Sequence, residues 1–195
     1  MSRIGILILA AGASTRLGQP KQLLHYRGKT LIRHMAEVAI TTGCQPVGVV
    51  LGAYTEIITP HLENLDLQII HNQQWQTGMA SSIRCGLRQL VTTAPALDAI
   101  VLMVCDQPFV SPHLIHQLID KYQTTKSAIV ASEYANILGV PALFHQTLFP
   151  ELVSLQGAVG AKPIICQHRS QAVSVSFSAG VLDLDCPHNL KLLAT

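Results

Sequence analysis

The chain has 195 residues, of which 49% are hydrophobic and 12% are charged, and its formal net charge at pH 7 is +2. This length suits one domain, so we expect residues 1–195 to form a single folded unit with a sizeable core. The small net charge and the lack of a basic run in the sequence argue against nucleic acid and anionic membranes as partners. No apolar run in the sequence reaches the roughly 18 to 20 residues that a membrane-spanning helix needs.

Five cysteines are scattered along the sequence and form no C-x-x-C pair. This pattern disfavours a disulfide framework and a structural zinc site, and it favours a reducing, cytoplasmic location. The beginning of the chain resembles a signal peptide, because an apolar stretch precedes Ala11-Gly12-Ala13. However, residues 4–11 are too few for a leader, and their alternating isoleucines favour a strand.

Short apolar runs alternate with helical patterns along the chain. The first run, residues 4–10, predicts a buried strand, and a helix follows it with Thr30 as a candidate N-cap. Ser111-Pro112 predicts a helix start, since serine caps well and proline suits the first helical position. Further strands are predicted at 46–51, 67–71, 99–105, 140–144, 172–177 and 181–185, and further helices at 55–63, 81–91, 146–155, 159–168 and after Pro187. This alternation predicts an α/β fold with a mostly parallel, doubly wound sheet.

The first predicted strand ends in a loop of small residues that two cations follow. Residues without bulk, in Leu9-Ala10-Ala11-Gly12-Ala13, let a ligand approach the backbone so that N–H groups can face an anion. Arg16 and Lys21 then supply two permanent positive charges. The loop has neither the Walker spacing nor the G-x-G-x-x-G pattern. The spacing alone is also compatible with an ordinary turn that carries two solvated cations.

The stretch Leu9-Ala10-Ala11-Gly12-x-Ser14-x-Arg16-x-Gly18-x-Pro20-Lys21 resembles the nucleotidyltransferase signature L-A-A-G-x-S-x-R-x-G-x-x-K. Its continuation, Gln22-Leu23-Leu24, is similar to the molybdenum cofactor cytidylyltransferases of the MobA-like NTP transferase family. The resemblance covers nearly the whole chain. It implies a Rossmann-like nucleotidyltransferase fold, a nucleoside triphosphate substrate, Mg²⁺ as the cofactor, and nucleotide binding by residues 9–13 together with Arg16 and Lys21.

A second motif lies between a predicted strand and a predicted helix. Residues 72–82, NQQWQTGMASS, resemble the family pattern N-x-x-W-x-x-G-M-x-S-S. In the resemblance, Gly78 permits close approach to the nucleotide, and Ser82 stands where related cytidylyltransferases read the base. Helix capping by Ser81 or Ser82 is the alternative interpretation, and it is compatible with base reading.

Two aspartates are the expected metal ligands. Asp106 follows the most apolar predicted strand, in Cys105-Asp106-Gln107-Pro108, which resembles the family's D-Q-P motif with its metal-binding aspartate. Asp183 and Asp185 would face the same side of a strand. Their motif, DLDCP, is similar to the family's D-[IV]-D-T-P and implies Asp185 as the second ligand. The alternatives are a turn-forming role for Asp106 and capping of a helix terminus by Asp185, before Pro187.

Two further motifs belong to the acceptor side of the family's site. Residues 139–144, GVPALF, match the pattern G-x-P-x-L-F. The next motif departs from the family, because residues 157–162 read GAVGAK where G-D-x-G-A-R is usual. An acidic residue is lost at Ala158 and lysine replaces arginine at Lys162. The departure bears on the acceptor more than on the nucleotide.

The resemblance implies transfer of CMP from CTP to a phosphate of molybdenum-molybdopterin, with release of pyrophosphate. Arg16, Lys21 and Asp106 would be the catalytic residues, because such chemistry depends on positioning and on neutralising charge. A molybdenum dehydrogenase or a cofactor chaperone is the implied protein partner. The alternatives are a guanylyltransferase for the same cofactor, a transferase for a sugar or small phosphate, and a cofactor-binding escort protein with little turnover.

Overall fold

The computed structural model describes residues 2–181, and within this range the chain forms nine strands and six α-helices. The predicted strand at 181–185, the helix after Pro187, and Asp183 and Asp185 lie outside the described residues, apart from Val181 at the end of a 3₁₀ turn. The strands are β1 (Ile4–Leu9), β2 (His25–Tyr26), β3 (Lys29–Thr30), β4 (Val47–Leu51), β5 (Gln68–His71), β6 (Ala99–Val104), β7 (Ile129–Tyr134), β8 (Ile137–His145) and β9 (Val173–Ser176). The helices are α1 (Leu31–Thr41), α2 (Thr55–Ile58), α3 (Met79–Thr93), α4 (Pro112–Thr125), α5 (Phe149–Ser154) and α6 (Lys162–Gln167).

Seven of these strands form one sheet in the order β5-β4-β1-β6-β8-β7-β9. Strand β8 is antiparallel to both of its neighbours, and the other pairings are parallel. The chain moves outward from β1 to β5 and then returns to β6 on the other side of β1. This reversal creates a topological switch point between β1 and β6, and ligands of such sheets bind at the carboxyl ends of the strands there. The predicted doubly wound, mostly parallel α/β fold is confirmed.

The sheet is covered on both faces, and its side chains alternate between two cores. In β1, Ile6 and Ile8 pack with α1 and α4, whereas Leu7 and Leu9 pack with α3, α5 and α6. Successive residues of a strand point to opposite faces, so a strand that is apolar throughout serves both cores. The same alternation runs through β4 and β6.

The predicted helix starts are accurate at one site and incomplete at another. Ser111 precedes α4, and its hydroxyl accepts a hydrogen bond from the Leu114 N–H at 3.3 Å. Thr30 precedes α1, but its side chain makes no capping hydrogen bond. The predicted helix at 55–63 is a single α-helical turn that continues as the 3₁₀ segment Thr59–Leu62.

Strand β8 is longer than the strand predicted at 140–144, and it forms a hairpin with β7. Its two-residue turn has positive φ at Ala135 (48°) and Asn136 (61°). Such a turn usually signals itself as Asn-Gly or Asp-Gly, because L-residues with larger side chains rarely adopt positive φ. The sequence lacks that signal here, so the hairpin follows from pairing with the sheet.

Within residues 2–181, no helix is both long enough and apolar enough to cross a membrane. Cys44, Cys85, Cys105 and Cys166 are all free thiols.

Candidate active site

The carboxyl ends of β1 and β6 lie side by side, with Leu9 opposite Val104. The segments that leave these strands border a cleft of about 380 Å³. The cleft contains most of the sequence-predicted site residues, because the loop after β1, the start of α3 and the turn after β6 meet at the switch point. Those residues are Leu9, Ala10, Ala11, Gly12, Ala13, Lys21, Gly78, Ser82 and Asp106.

Two charged groups predicted from distant parts of the sequence form an ion pair. Lys21 Nζ lies 2.5 Å from Asp106 Oδ2. The two side chains are 19% and 18% exposed, so water screens the pair less than it would a surface pair. The loop therefore delivers a cation to the carboxylate at the end of β6.

A tight turn prepares the position of Lys21. Ser14 has φ 51°, and its carbonyl accepts hydrogen bonds from the N–H groups of Leu17 and Gly18. The Ser14 hydroxyl then accepts the Lys21 N–H at 3.1 Å. Ser14 thus ties the two ends of the loop together.

Arg16 sits at the outside of the same turn. Its side chain is exposed, and it does not line the cleft. Its neighbour Thr15 lines the cleft, and Gly18 and Gln19 are exposed. Arg16 thus lies outside the set of predicted residues that line the cleft, and its phosphate contact stays a prediction.

Gly12 and Gly78 border the cleft for different reasons. A Cβ built on Gly12 would have no heavy atom within 4 Å. Packing and backbone conformation therefore do not require a glycine at position 12, where a Cβ would meet open space. Gly78 has φ 108°, and a Cβ there would lie 2.3 Å from the Gly157 carbonyl oxygen. Its glycine is explained by the fold.

Asn72 organises the beginning of α3, although the sequence assigned it no role. Its buried amide donates to the hydroxyls of Ser81, at 2.8 Å, and Ser82, at 3.0 Å. The helix begins at Met79, after Gly78, and no side chain caps it. The capping alternative for Ser81 and Ser82 is therefore not what the structure shows. Ser82 instead forms part of the cleft wall.

A second cavity of about 430 Å³ adjoins the cleft. Leu9, Met79, Val104 and Asp106 border both spaces. The second cavity is lined mainly by apolar side chains, among them Ile83, Tyr134, Leu138, Val140 and Ile165. Asp106 therefore stands at the junction between the cleft and this apolar cavity.

The motif at 157–162 divides between the two spaces. Ala158 borders the first cleft, with the loop after β1, whereas Gly160, Ala161 and Lys162 border the apolar cavity. That the motif faces the acceptor stays a prediction, but its residues do not all border one space. The reason is the docking of the loop on α3, where the Ala80 N–H donates to the Gly157 carbonyl at 3.2 Å.

Asp106 is the described residue suited to a divalent cation. Within residues 2–181, no three His, Cys, Asp or Glu side chains come close enough to hold a metal ion together. Mg²⁺ commonly uses one or two carboxylates together with substrate phosphates, so a single Asp106 at the edge of a phosphate cleft fits its chemistry. Asp185, the other expected ligand, lies outside the described residues.

Cys105 precedes Asp106 but has the properties of a core residue. Its side chain is 2% exposed. Burial raises the pKa of the Cys105 thiol far above its ordinary value, and the Asp106 charge raises it further. A protonated, enclosed thiol is a poor nucleophile, so Cys105 serves packing.

Comparison with known proteins identifies the family. The MobA-like NTP transferase domain matches residues 6–172. The chain belongs to the MobA-like NTP transferase family. The fold and the family expected from the loop are thus confirmed. Members of this family are nucleotidyltransferases that bind a nucleoside triphosphate and a phosphorylated acceptor.

Relatives extend the similarity over most of the chain. Nicotine blue oxidoreductase from Paenarthrobacter nicotinovorans is 31% identical over 83% of this chain and 80% of its own length. Rv0371c from Mycobacterium tuberculosis H37Rv is 30% identical, with a TM-score of 0.86 over 100% of this chain and 99% of that one. A structure of Rv0371c in complex with manganese has 28% identity and a TM-score of 0.79, and covers 98% of both chains. The bifunctional enzyme IspD/IspF of Granulibacter bethesdensis is 36% identical over 70% of this chain, which spans 35% of that enzyme.

Proposed function

We propose that the protein transfers CMP from CTP to a phosphate of molybdenum-molybdopterin and releases pyrophosphate. The observation that carries the proposal is the meeting of Lys21 and Asp106, 2.5 Å apart, at the edge of the small-residue loop. Lys21, in the first cleft, would serve as the cation for phosphate, and Asp106, which borders both cavities, would serve as the carboxylate for a metal.

The triphosphate belongs in the first cleft under this proposal. The residues from Leu9 to Ala13 offer backbone without bulk, and Lys21 offers a charge. The start of α3 adds the positive end of a helix dipole. Ser82, held by Asn72, would read the base together with nearby backbone groups. Arg16 would reach the outer phosphates from the rim of the loop.

The acceptor belongs in the second cavity. Apolar walls suit the flat face of a ring system, and Lys162 at its edge suits an anionic group. Asp106 borders both cavities, so it lies where the acceptor phosphate and the α-phosphate of the nucleotide would meet.

Mg²⁺ would be held by Asp106 and Asp185. When bound, it would neutralise charge on the phosphates and orient them. Binding of a divalent ion is supported by a relative, since a crystal structure of Rv0371c is a complex with manganese. Lys21 and the loop amides would stabilise the charge of the departing pyrophosphate. The acceptor phosphate is the nucleophile, so no protein nucleophile is required.

The decisive experiment has two parts. Thermal shifts with CTP, GTP, ATP and UTP, each with Mg²⁺, rank the nucleotides, and CTP is expected to give the largest shift. Pyrophosphate release is then measured with CTP and molybdopterin cofactor together, and the dinucleotide product is identified by mass. A larger shift with GTP would replace CMP by GMP in the proposal. Pyrophosphate release with a sugar phosphate but not with the cofactor would show that molybdenum-molybdopterin is not the acceptor.

A second candidate is a nucleotide- and cofactor-binding escort protein with little turnover. It is favoured by Ala158, which borders the nucleotide cleft where the family usually has an acidic residue. Tight binding of CTP and cofactor without pyrophosphate release would establish this candidate. In either case the partner would be a molybdenum dehydrogenase or a cofactor chaperone, in the cytoplasm. The four free cysteines of the described part support that compartment.

The name of the Paenarthrobacter relative denotes a redox enzyme. The same assay separates this activity from nucleotidyl transfer, because a transferase needs a triphosphate and liberates pyrophosphate. If no triphosphate binds, the transferase proposal fails.

A further inference from the structure

Gln22 lies beneath the loop after β1 and is among the most buried polar residues of the described part, at 1% exposure. Its amide nitrogen donates two hydrogen bonds, to the carbonyl oxygens of Ala10 at 2.8 Å and of Gly12 at 2.9 Å. Both hydrogens of the amide are thereby used. Its own carbonyl oxygen is buried and has no hydrogen-bond partner among the residues that the structure describes.

The intervening carbonyl is also occupied. The Ala11 oxygen accepts a hydrogen bond from the Ala53 N–H at 3.0 Å, on the other side of the loop. Three consecutive carbonyl dipoles are therefore directed to protein donors, two of them by Gln22. By contrast, within residues 2–181 no acceptor is bonded to the N–H groups of Ala11, Gly12 or Ala13.

This polarity suits an anion. Carbonyl oxygens that faced the cleft would repel a triphosphate, whereas unoccupied amides attract it. Gln22 borders the cleft, but it is almost wholly buried and its amide hydrogens are taken by the loop carbonyls. We propose that Gln22 is the positioning residue that orients this loop for phosphate binding, acting through the backbone carbonyls that it holds. The proposal rests on the triphosphate site of the proposed function but is independent of which base is bound.

The substitution Gln22→Glu tests this inference at nearly constant shape. A carboxylate cannot donate to either carbonyl, and it places a negative charge beneath the phosphate site. We expect affinity for inorganic pyrophosphate with Mg²⁺, measured by calorimetry at pH 8, to fall by about tenfold or more, the equivalent of one or two hydrogen bonds. The protonated acid can donate one bond. The loss of pyrophosphate affinity relative to the wild type should therefore be smaller at pH 6 than at pH 8. A residue that only packs would show no such pH-dependent recovery.

Two variants control for charge and for folding. Gln123→Glu makes the same change on the exposed face of α4 and should leave pyrophosphate binding unchanged. Gln22→Met removes both hydrogen bonds without adding charge and should weaken binding at pH 8 and pH 6 alike. Gln22→Met also tests the positioning role if Gln22→Glu does not fold. Amide chemical shifts of residues 11–13 in the wild type should move when pyrophosphate is added.

The outcomes separate this inference from the proposed function. Unchanged pyrophosphate affinity in a folded Gln22→Glu or Gln22→Met protein would overturn the positioning role. Binding of GTP or another triphosphate in place of CTP would change the nucleotide in the proposed function and leave the role of Gln22 unaffected. Absence of both triphosphate and pyrophosphate binding by the wild type would overturn both.

A separate observation concerns the partners of the Lys21–Asp106 pair. Under the proposed function Lys21 is needed by phosphate and Asp106 by a divalent cation, yet here the two side chains bind each other. We infer that they exchange partners, so that a triphosphate withdraws Lys21 and exposes Asp106 to the metal. Binding of the two ligands is then positively coupled, and the coupling is reciprocal.

Mn²⁺ binding, followed by electron paramagnetic resonance or calorimetry, tests this exchange without turnover. In the wild type, pyrophosphate should raise Mn²⁺ affinity. Lys21→Met should bind Mn²⁺ alone several-fold more tightly than the wild type, although its pyrophosphate affinity falls. Lys121→Met, an equal loss of charge on exposed α4, should change neither. If Lys21→Met binds Mn²⁺ no better than the wild type, the lysine does not compete with the metal.

Discussion

At the scale of single residues, the two glycines of the cleft show how a fold requirement differs from a ligand requirement. Gly78 needs its positive φ and its contact with Gly157. Gly12 has an ordinary φ, and the space for a Cβ is open. The same residue type therefore predicts opposite consequences on substitution.

We expect Gly12→Ala to keep the free energy of unfolding within about 1 kcal/mol of the wild type, because alanine fits and restricts the unfolded chain. Its affinity for a triphosphate should fall by about tenfold, since the methyl group enters the cleft. Gly78→Ala should instead lose about 2 kcal/mol or more of stability through backbone strain and collision. Denaturant unfolding and nucleotide calorimetry on both variants measure the contrast. A Gly12→Ala protein with normal triphosphate binding would place the phosphates elsewhere.

Asp106→Asn addresses the carboxylate at the junction. The amide has nearly the same shape, so we expect the fold to persist, and a neutral oxygen is a weak ligand for Mg²⁺. Turnover should drop by about 100-fold or more, a loss typical of removing a main electrostatic group. Circular dichroism checks the fold, and pyrophosphate release at several Mg²⁺ concentrations checks the role. Normal turnover of the variant at low Mg²⁺ would show that Asp106 pairs with Lys21 but does not bind the metal.

At the scale of elements, the turn after β6 is attached to α1. His34 of α1 lies 3.1 Å, through its Nε2, from the Pro108 carbonyl oxygen, and its ring packs edge-on against Tyr26. A carbonyl can only accept, so this bond assigns a hydrogen to Nε2. Burial lowers the pKa of His34 below its ordinary 6.5, and the positive charges of Arg27 and Lys29 lower it further. The Pro108 hydrogen bond and Glu37 act in the opposite direction.

The sign of the resulting pH dependence follows from proton counting. Below pH 6.5 the unfolded chain protonates His34 more readily than the folded chain does. Stability should therefore be lost as the pH falls from about 6.5 through the lowered pKa. The variant His34→Gln can donate to Pro108 without titrating, so its stability should depend less steeply on pH over this range. His113→Gln, on the exposed face of α4, should keep the wild-type slope. Equal slopes for the wild type and His34→Gln would contradict the assignment.

At the scale of the whole molecule, one sheet connects both cores. Strands β1, β4 and β6 contribute alternate side chains to the two faces. Loss of either core would therefore expose the strands that support the other. We propose that residues 1–195 form one cooperative domain, and we expect far- and near-ultraviolet circular dichroism to give coincident melting curves. Two separate transitions would show that the halves are independent.

At the same scale, the motif at 157–162 contributes residues to the walls of both cavities. Ala158→Asp places a carboxylate on the wall of the nucleotide cleft, so it should weaken CTP binding at low Mg²⁺ and less so at high Mg²⁺. Lys162→Arg, on the wall of the apolar cavity, should change the KM for the acceptor and leave the CTP dissociation constant unaltered. Calorimetry and initial rates distinguish the two effects. If both variants shift the same parameter, the cavities do not divide nucleotide from acceptor.

The sequence by itself determined the features that depend on near neighbours. The apolar alternation of β1, the Ser111-Pro112 helix start and the small residues from Ala10 to Ala13 all express local preferences, which act over a few bonds. The motif of the loop also indicated that the chain is a nucleotidyltransferase. These features sufficed for the fold class and for most of the cleft.

Only the tertiary structure decided which distant groups meet. It placed Lys21 against Asp106, left Arg16 outside the lining of the cleft, assigned Gln22 and Asn72 to hold the loop and the start of α3, and divided the 157–162 motif between two cavities. Each of these outcomes depends on the packing of segments far apart in the chain. A buried polar side chain must find its hydrogen-bond partner wherever the fold brings one, and no local pattern of residues encodes where that is.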